Sequence, residues 1–501
     1  MQKHPVRQLV GYGLPLLLLL AGCSSSGSSP AATSSAPLPP SAQANAATGT
    51  AGTAGSATVP TGEVATVQPN SQGQALFDAI DSATTSIDIV VYQYNDATLQ
   101  QKLVAAMQRG VKVRLILDGY NASNVKYNSA AAKALEQAAT AAGVPAGMVR
   151  ANWSSDNFNI THQKTVIIDA ADGGGAPLPA ASLPASARVL VSTGNFQSFK
   201  TQPFFSARDF YVTASDQNLI NQVETVYSSD FSCAGPTVTN DLKTSADLVW
   251  SNGTTGLYAN EVGQYPPVSE GYFGDQKVTD PAPVDQGNSY DYQAALINKS
   301  GPGDVVRIYN EEFTSTGMVQ AVTAALQRGA EVRIVMTYAQ PSSSGKPSTS
   351  MANLTTLAGQ GAKVTLYAPQ SVVPEALYIH AKSITVNGAD GTFKQGFVGS
   401  ENFSDPSLLF NRELGLPLDA ADPGDASVAQ TIVTTFDGDF SSTQNTATPT
   451  TIPAAWNQAA AALGAEQSSS ADPAGEPSSR PAPSGPAERL GSPVGKCGPI
   501  T

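Results

Sequence analysis

Ala105-Ala106-Met107-Gln108-Arg109-Gly110-Val111-Lys112-Val113-Arg114-Leu115-Ile116-Leu117 returns 219 positions later as Ala324-Ala325-Leu326-Gln327-Arg328-Gly329-Ala330-Glu331-Val332-Arg333-Ile334-Val335-Met336. An internal repeat of this kind means one supersecondary unit used twice. Each copy reads as a helix, an Arg-Gly stop and a β-branched run. Glycine suits the left-handed residue that closes a helix, and the apolar run after it suits a buried strand. A second β-rich run precedes each copy: Ser86-Ile87-Asp88-Ile89-Val90-Val91-Tyr92 and Asp304-Val305-Val306-Arg307-Ile308-Tyr309. Strands alternating with helices predict an α/β fold of duplicated mixed or largely parallel sheets flanked by helices.

Further out, Leu76 to Ile80 and Tyr292 to Ile297 carry helical apolar spacing ahead of each first strand. The halves also close alike, on Val226-Tyr227-Ser228-Ser229-Asp230-Phe231 and Thr435-Phe436-Asp437-Gly438-Asp439-Phe440. These features predict a first half at 61–235 and a second at 236–445, with a Gly/Pro/acid-rich surface insertion at about 252–288. A duplicated unit can pair about a pseudo-two-fold axis, so the active site is expected between the halves. Residues 446–501 are rich in Ser, Pro, Ala and Gly and are expected to be mostly disordered.

The start of the chain reads as a targeting segment. Lys3 and Arg7 precede the apolar run Leu14-Pro15-Leu16-Leu17-Leu18-Leu19-Leu20, which is short for a membrane span. Leu20-Ala21-Gly22-Cys23 resembles a bacterial lipobox. That resemblance implies a lipoprotein signal peptide at 1–22, lipidation of Cys23, and export to the periplasmic or cell-surface side of a bacterial membrane. Residues 23–60 would then be a disordered tether behind the anchor. An oxidising compartment would allow Cys233 and Cys497 to pair, a choice the sequence does not make. The formal net charge of −13 argues against nucleic acid as a partner, since backbone binding is mainly electrostatic.

The chemistry sits on the histidines. The chain has three: His4 in the targeting segment, then His162 and His380, which are separated by almost the repeat offset. Each of the last two is followed by a lysine, as His162-Gln163-Lys164 and His380-Ala381-Lys382, and then by an apolar strand. On extended backbone, residues two apart share a face, so each His and its Lys point the same way. A lone His beside a strand is usually structural. Two His-x-Lys units at equivalent points of a duplication are hard to explain that way. Two imidazoles and two lysines across a dyad suit a phosphodiester: cations neutralise the non-bridging oxygens, one His attacks phosphorus and the other protonates the leaving oxygen. No clustered metal-ligand set is visible, and no cofactor is expected.

At this point the chain resembles the phospholipase D superfamily, whose signature is His-x-Lys-x4-Asp. His162, Lys164 and Asp169 match it fully; His380 and Lys382 match, with Asn387 in the Asp position. Gly399-Ser400-Glu401-Asn402 matches the family's Gly-Ser-x-Asn element, and Ser192-Thr193-Gly194-Asn195 matches it without the leading Gly. An Arg-acid pair follows in each half, Arg208-Asp209 and Arg412-Glu413. The resemblance covers about residues 70 to 445. It implies that His162 is the nucleophile, passing through a phosphohistidine, and that His380 is the general acid and then the base. The near symmetry of the halves makes that direction an analogy. Lys164, Lys382, Asn195, Asn402 and Ser400 would bind substrate. Asp209 would orient His162 and Glu413 would orient His380. Asp169, though part of the catalytic motif, would support rather than react, as would Asn387.

With a membrane anchor, the implied activity is cleavage or exchange of phospholipid headgroups, cardiolipin-synthase-like transfer included. The competing expectations are an extracytoplasmic phosphodiesterase on nucleic acid, and a non-catalytic relic that binds lipid or a partner. One chain holds both motifs, so a monomer is expected to suffice.

Overall fold

The computed structural model of the protein describes residues 63–119, 122–154, 160–197, 207–232, 248–252, 289–342, 345–457 and 497–500. The expected signal peptide, Cys23, the tether, Cys233 and nearly all of the insertion lie outside the described residues. The first half runs β1 (Val64–Gln68), α1 (Gln74–Ser82), β2 (Ser86–Val91), β3 (Tyr94–Asn95), α2 (Ala97–Gln108), β4 (Lys112–Leu117), α3 (Ala122–Ala141), β5 (Val149–Trp153), β6 (Thr165–Ile168), β7 (Arg188–Ser192), β8 (Phe196–Gln197), β9 (Asp209–Ala214) and α4 (Gln217–Phe231). The second runs β10 (Val249–Asn252), α5 (Ser289–Asn298), β11 (Val305–Tyr309), α6 (Thr316–Gln327), β12 (Glu331–Thr337), α7 (Thr349–Gly359), β13 (Lys363–Tyr367), β14 (Ser383–Asn387), β15 (Phe393–Gly399), β16 (Arg412–Asp419) and α8 (Pro423–Ser441). Two short strands follow, β17 (Thr446–Ala447) and β18 (Gly498–Pro499).

The Arg-Gly stops work as read. Gly110 and Gly329 sit at φ 95° and 87°, a conformation that costs glycine nothing. The arginine before each ties its helix to the end of the preceding one: Arg109 Nη2 donates to Ile80 O at 3.0 Å, and Arg328 Nη2 to Ile297 O at 3.2 Å.

Two eight-stranded sheets result, with matching orders: β1-β9-β7-β6-β2-β4-β5-β18 and β10-β16-β15-β14-β11-β12-β13-β17. The fold is mixed α/β and duplicated. Only β2-β4-β5 and β11-β12-β13 run parallel, where helices make the crossovers; the other neighbours within these sheets are antiparallel.

Side-chain alternation sorts the core into layers. Along β7, Val189 and Val191 join a central cluster while Leu190 joins an outer one; along β9, Phe210 and Val212 go inward and Tyr211 outward. The outer clusters pack α1–α3 on the first sheet and α5–α7 on the second. The central cluster takes Leu219, Val223 and Phe231 from α4, Val428, Ile432 and Phe436 from α8, and inward residues of both sheets. The two halves therefore share one core. No helix of the described residues is long and apolar enough to cross a membrane.

Short pieces at both ends of the 446–501 segment are ordered. Thr446 and Ala447 pair with β13, and Trp456 is buried against Tyr338, ring centroids 5.8 Å apart. Gly498 and Pro499 pair with β5, and Cys497 is disulfide-bonded. Backbone pairing and one buried aromatic order these pieces despite their composition. Residues 458–496 lie outside the described residues.

Candidate active site

Both histidines lie where the halves exchange backbone. His162 N and Gln163 N donate to Arg412 O at 2.9 and 2.7 Å, and Arg412 N donates back to Ile160 O at 2.9 Å. The counterpart exchange joins Arg208 N to Tyr378 O at 2.7 Å and His380 N to Arg208 O at 3.2 Å. Each arginine also crosses the dyad with its side chain. Arg412 meets Asp230 on α4 through Nε and Nη2, both at 2.9 Å, and Arg208 meets Asp439 on α8 at 2.6 and 3.0 Å. Bidentate charge-assisted bonds of this kind fix geometry as well as energy. Each motif thus begins at a single backbone bridge to the other half; the regular strands start at Thr165 and Ser383, after the lysines.

This exchange overturns the expected pairing of acids and histidines. His162 Nδ1 lies 2.8 Å from both carboxylate oxygens of Glu413, and His380 Nδ1 lies 2.9 Å from Asp209 Oδ1. Each half orients the other half's histidine, because the segment carrying each Arg-acid pair runs beside the opposite motif. A carboxylate at Nδ1 places a proton there and turns Nε2 toward chemistry.

Ser400 holds the acid from its own element: its hydroxyl donates to Glu413 Oε2 at 2.6 Å, and Ser407 Oγ and Asn411 Nδ2 reach Glu413 Oε1 at 2.6 and 3.1 Å. Thr193 does the same in the first half, donating to Asp209 Oδ1 at 2.5 Å. Gly194 beside it is required by space, since a Cβ there would stand 2.3 Å from Asp209 Oδ2. Ser192, in place of the family's leading glycine, turns its hydroxyl onto Gly194 O at 2.8 Å.

Asp169 and Asn387 sit at the far ends of their strands from the histidines. Asp169 takes φ 55° and accepts from Thr84 N, Thr85 N, Ser86 N and the hydroxyls of Thr84, Thr85 and Ser186. Burial alone would raise its pKa, but these donors hold it below the usual carboxylate range. Asn387 accepts from Arg307 Nη1 at 3.1 Å and donates to Gly391 O at 3.0 Å. Both are anchors of turns at the strand ends away from the histidines.

The lysines are fully buried. Lys164 Nζ donates to His162 O at 2.7 Å and stands 5.9 Å from the ring centroid of Tyr92. Lys382 Nζ lies 3.0 Å from Glu311 Oε2. Glu311, which belongs to neither motif, lies inside the cluster: Oε2 is 3.5 Å from His380 Nε2 and 3.5 Å from Asn402 Nδ2, while Oε1 accepts from Tyr378 Oη. Its signal was available, because the repeat offset sets it opposite Tyr92, whose ring meets that of His162 edge-on at 5.4 Å. Glu413 links His162 to Ser400, two residues from Asn402, which meets Glu311 and so His380. The two motifs belong to one connected cluster.

The electrostatics around His380 favour its charged form. Burial and the Lys382 charge pull the His380 pKa down, but Asp209 and Glu311 outweigh them and raise it to about 9. His380 is therefore an imidazolium at neutral pH. Behind the site, burial and then the nearby Glu413 push the Glu401 carboxyl well up. Among the described residues no group of His, Cys, Asp and Glu is arranged to hold a metal ion.

Residues 76–230 and 294–440 match the sequence family described as "Cardiolipin synthase, PLD-like domain". Comparison with curated proteins returns no match. Among solved structures, the phosphatidylserine synthase of Haemophilus influenzae Rd KW20 is similar at 13% identity, over 75% of this chain and 85% of that one, with a TM-score of 0.47. Polyphosphate kinase from Porphyromonas gingivalis is similar at 14% identity over 76% of this chain, with a TM-score of 0.46; this chain spans half the kinase's length, 50%. Nuc, a phospholipase D family member from Salmonella typhimurium, aligns at 21% identity over 34% of this chain and 93% of its own, with a TM-score of 0.24.

Proposed function

The chain belongs to the phospholipase D superfamily as a pair of cardiolipin synthase-type domains, and from that membership we propose that it cleaves or exchanges phospholipid headgroups through a phosphohistidine. The observation that carries this reading is the crossed arrangement of His162 on Glu413 and His380 on Asp209 within one buried cluster. His162 Nε2 attacks phosphorus, forming an N–P bond as the P–O bond to the headgroup breaks. His380 Nε2–H gives its proton to the departing oxygen, the role an imidazolium with a raised pKa suits. Water or an alcohol then attacks phosphorus, His380 takes its proton, and the N–P bond breaks. Lys164, Lys382, Asn195 and Asn402 hold the non-bridging oxygens. Cys23 carries the anchor that keeps the enzyme at its substrate, and replacing it with Ser would release the protein from the membrane fraction.

The test uses mixed phospholipid vesicles, with and without a primary alcohol, and mass analysis of the lipids. Phosphatidic acid or a phosphatidyl-alcohol should form, and neither should form with His162→Ala. Turnover that persists in His162→Ala, or activity confined to nucleic acid, would sink the proposal.

A further inference from the structure

The second half of the cluster holds a carboxylate where a phosphate oxygen would sit. Glu311 Oε2 meets Lys382 Nζ at 3.0 Å, Asn402 Nδ2 at 3.5 Å and His380 Nε2 at 3.5 Å. These are three of the groups assigned above to the phosphoryl group, and here they converge on one oxygen supplied by the chain itself. Tyr378 Oη holds the other oxygen, so the carboxylate is fixed from both ends. The repeat sets the Tyr92 ring opposite Glu311, beside His162 and Lys164. The duplication thus sets a tyrosine ring at this position in one half and a carboxylate in the other.

We propose that Glu311 is the specificity-determining residue that limits the site to singly charged phosphodiesters and turns away doubly charged phosphomonoesters. The inference rests on the phosphodiester reading above. A diester brings one negative charge to a site where His380 and Lys382 already face Glu311. A monoester dianion brings a second charge to within a few ångströms of a carboxylate with both groups out of water, where like charges repel strongly. Asp209, Glu311, Lys382 and Tyr378 all face His380; of the two carboxylates, Glu311 meets Nε2, whereas Asp209 is taken up at Nδ1. The consequence is directional. Hydrolysis of a lipid diester makes a monoester, and the site that accepts the diester expels the product, while headgroup exchange makes another diester that the site tolerates.

Binding separates this from turnover. On the full chain, calorimetry would compare inorganic phosphate, at a pH where it is a dianion, with dimethyl phosphate, a monoanion. The wild type should bind dimethyl phosphate at least as tightly as phosphate. Glu311→Gln should bind phosphate about tenfold tighter or more, a modest share of one buried like-charge contact, with a smaller change for dimethyl phosphate. Glu311→Asp, which keeps the charge, should keep the wild-type preference. A purely structural role would weaken both ligands together. An unchanged ratio in Glu311→Gln overturns the inference and leaves the phosphodiester reading standing. A wild type that prefers the dianion overturns it without any variant. Binding of neither ligand to any of the proteins overturns both.

Discussion

At the scale of single residues, the site is a set of charges whose neighbours decide their protonation. His380 holds its proton to about 9 because Asp209 and Glu311 outweigh burial and Lys382. A reaction that needs His380 as an acid should therefore lose rate as pH rises through that value. In Glu311→Gln one of the two raising carboxylates is gone, and the falling limb of the pH–rate profile should move to lower pH; a limb that stays put would mean that another group sets it. Asp169 makes the opposite point. It belongs to the signature, yet its six donors lie at a turn, so Asp169→Asn should cost about 1–3 kcal/mol of stability with the turnover number largely kept, read by denaturant melts beside the vesicle assay. The sequence made His162, Lys164, His380 and Lys382 plain. That the signature acid lies remote was readable from spacing alone, since five extended residues past a lysine carry the chain about 16 Å away. Glu311 escaped notice because it belongs to no motif and gains meaning only when the repeats are laid side by side and found to differ.

At the scale of elements, the functional unit is the crossing segment. The strand-like stretch before each lysine is clamped by the other half's Arg-acid pair, and that arginine is clamped in turn by the last helix of the first-mentioned half. Asp439 on α8 therefore holds Arg208, whose carbonyl places His380. Asp439→Asn would leave a buried guanidinium without its countercharge, at a cost of about 3–5 kcal/mol. It should also reduce turnover more than Asp169→Asn does, because the displaced segment carries His380. Equal effects from the two substitutions would show that the clamp is structural only. The repeat announced these helices and strands, but the crossing could not be read from it. His162 and Glu413 are 251 residues apart, and a duplicated sequence looks the same whether each acid serves its own half or the other. Only packing about the dyad breaks that tie.

At the scale of the whole molecule, the halves share the central cluster between the sheets, with α4 and α8 lying in it together. Burying one apolar core from two sides couples their stabilities. Thermal unfolding should proceed as a single transition, coincident by calorimetry and by backbone circular dichroism; two resolved transitions would contradict the shared core. The layered α/β architecture was legible from period and repeat. The returning strand β18 was not, because two residues in a Pro/Ser-rich tail carry no periodic signal. The difference between Tyr92 and Glu311 needs both copies in one chain. In a dimer of two identical chains, any substitution at this position alters both sites at once, so a tyrosine facing one histidine and a glutamate facing the other cannot coexist. Two copies in one polypeptide can vary singly at this position, which is what a tyrosine at 92 and a glutamate at 311 require.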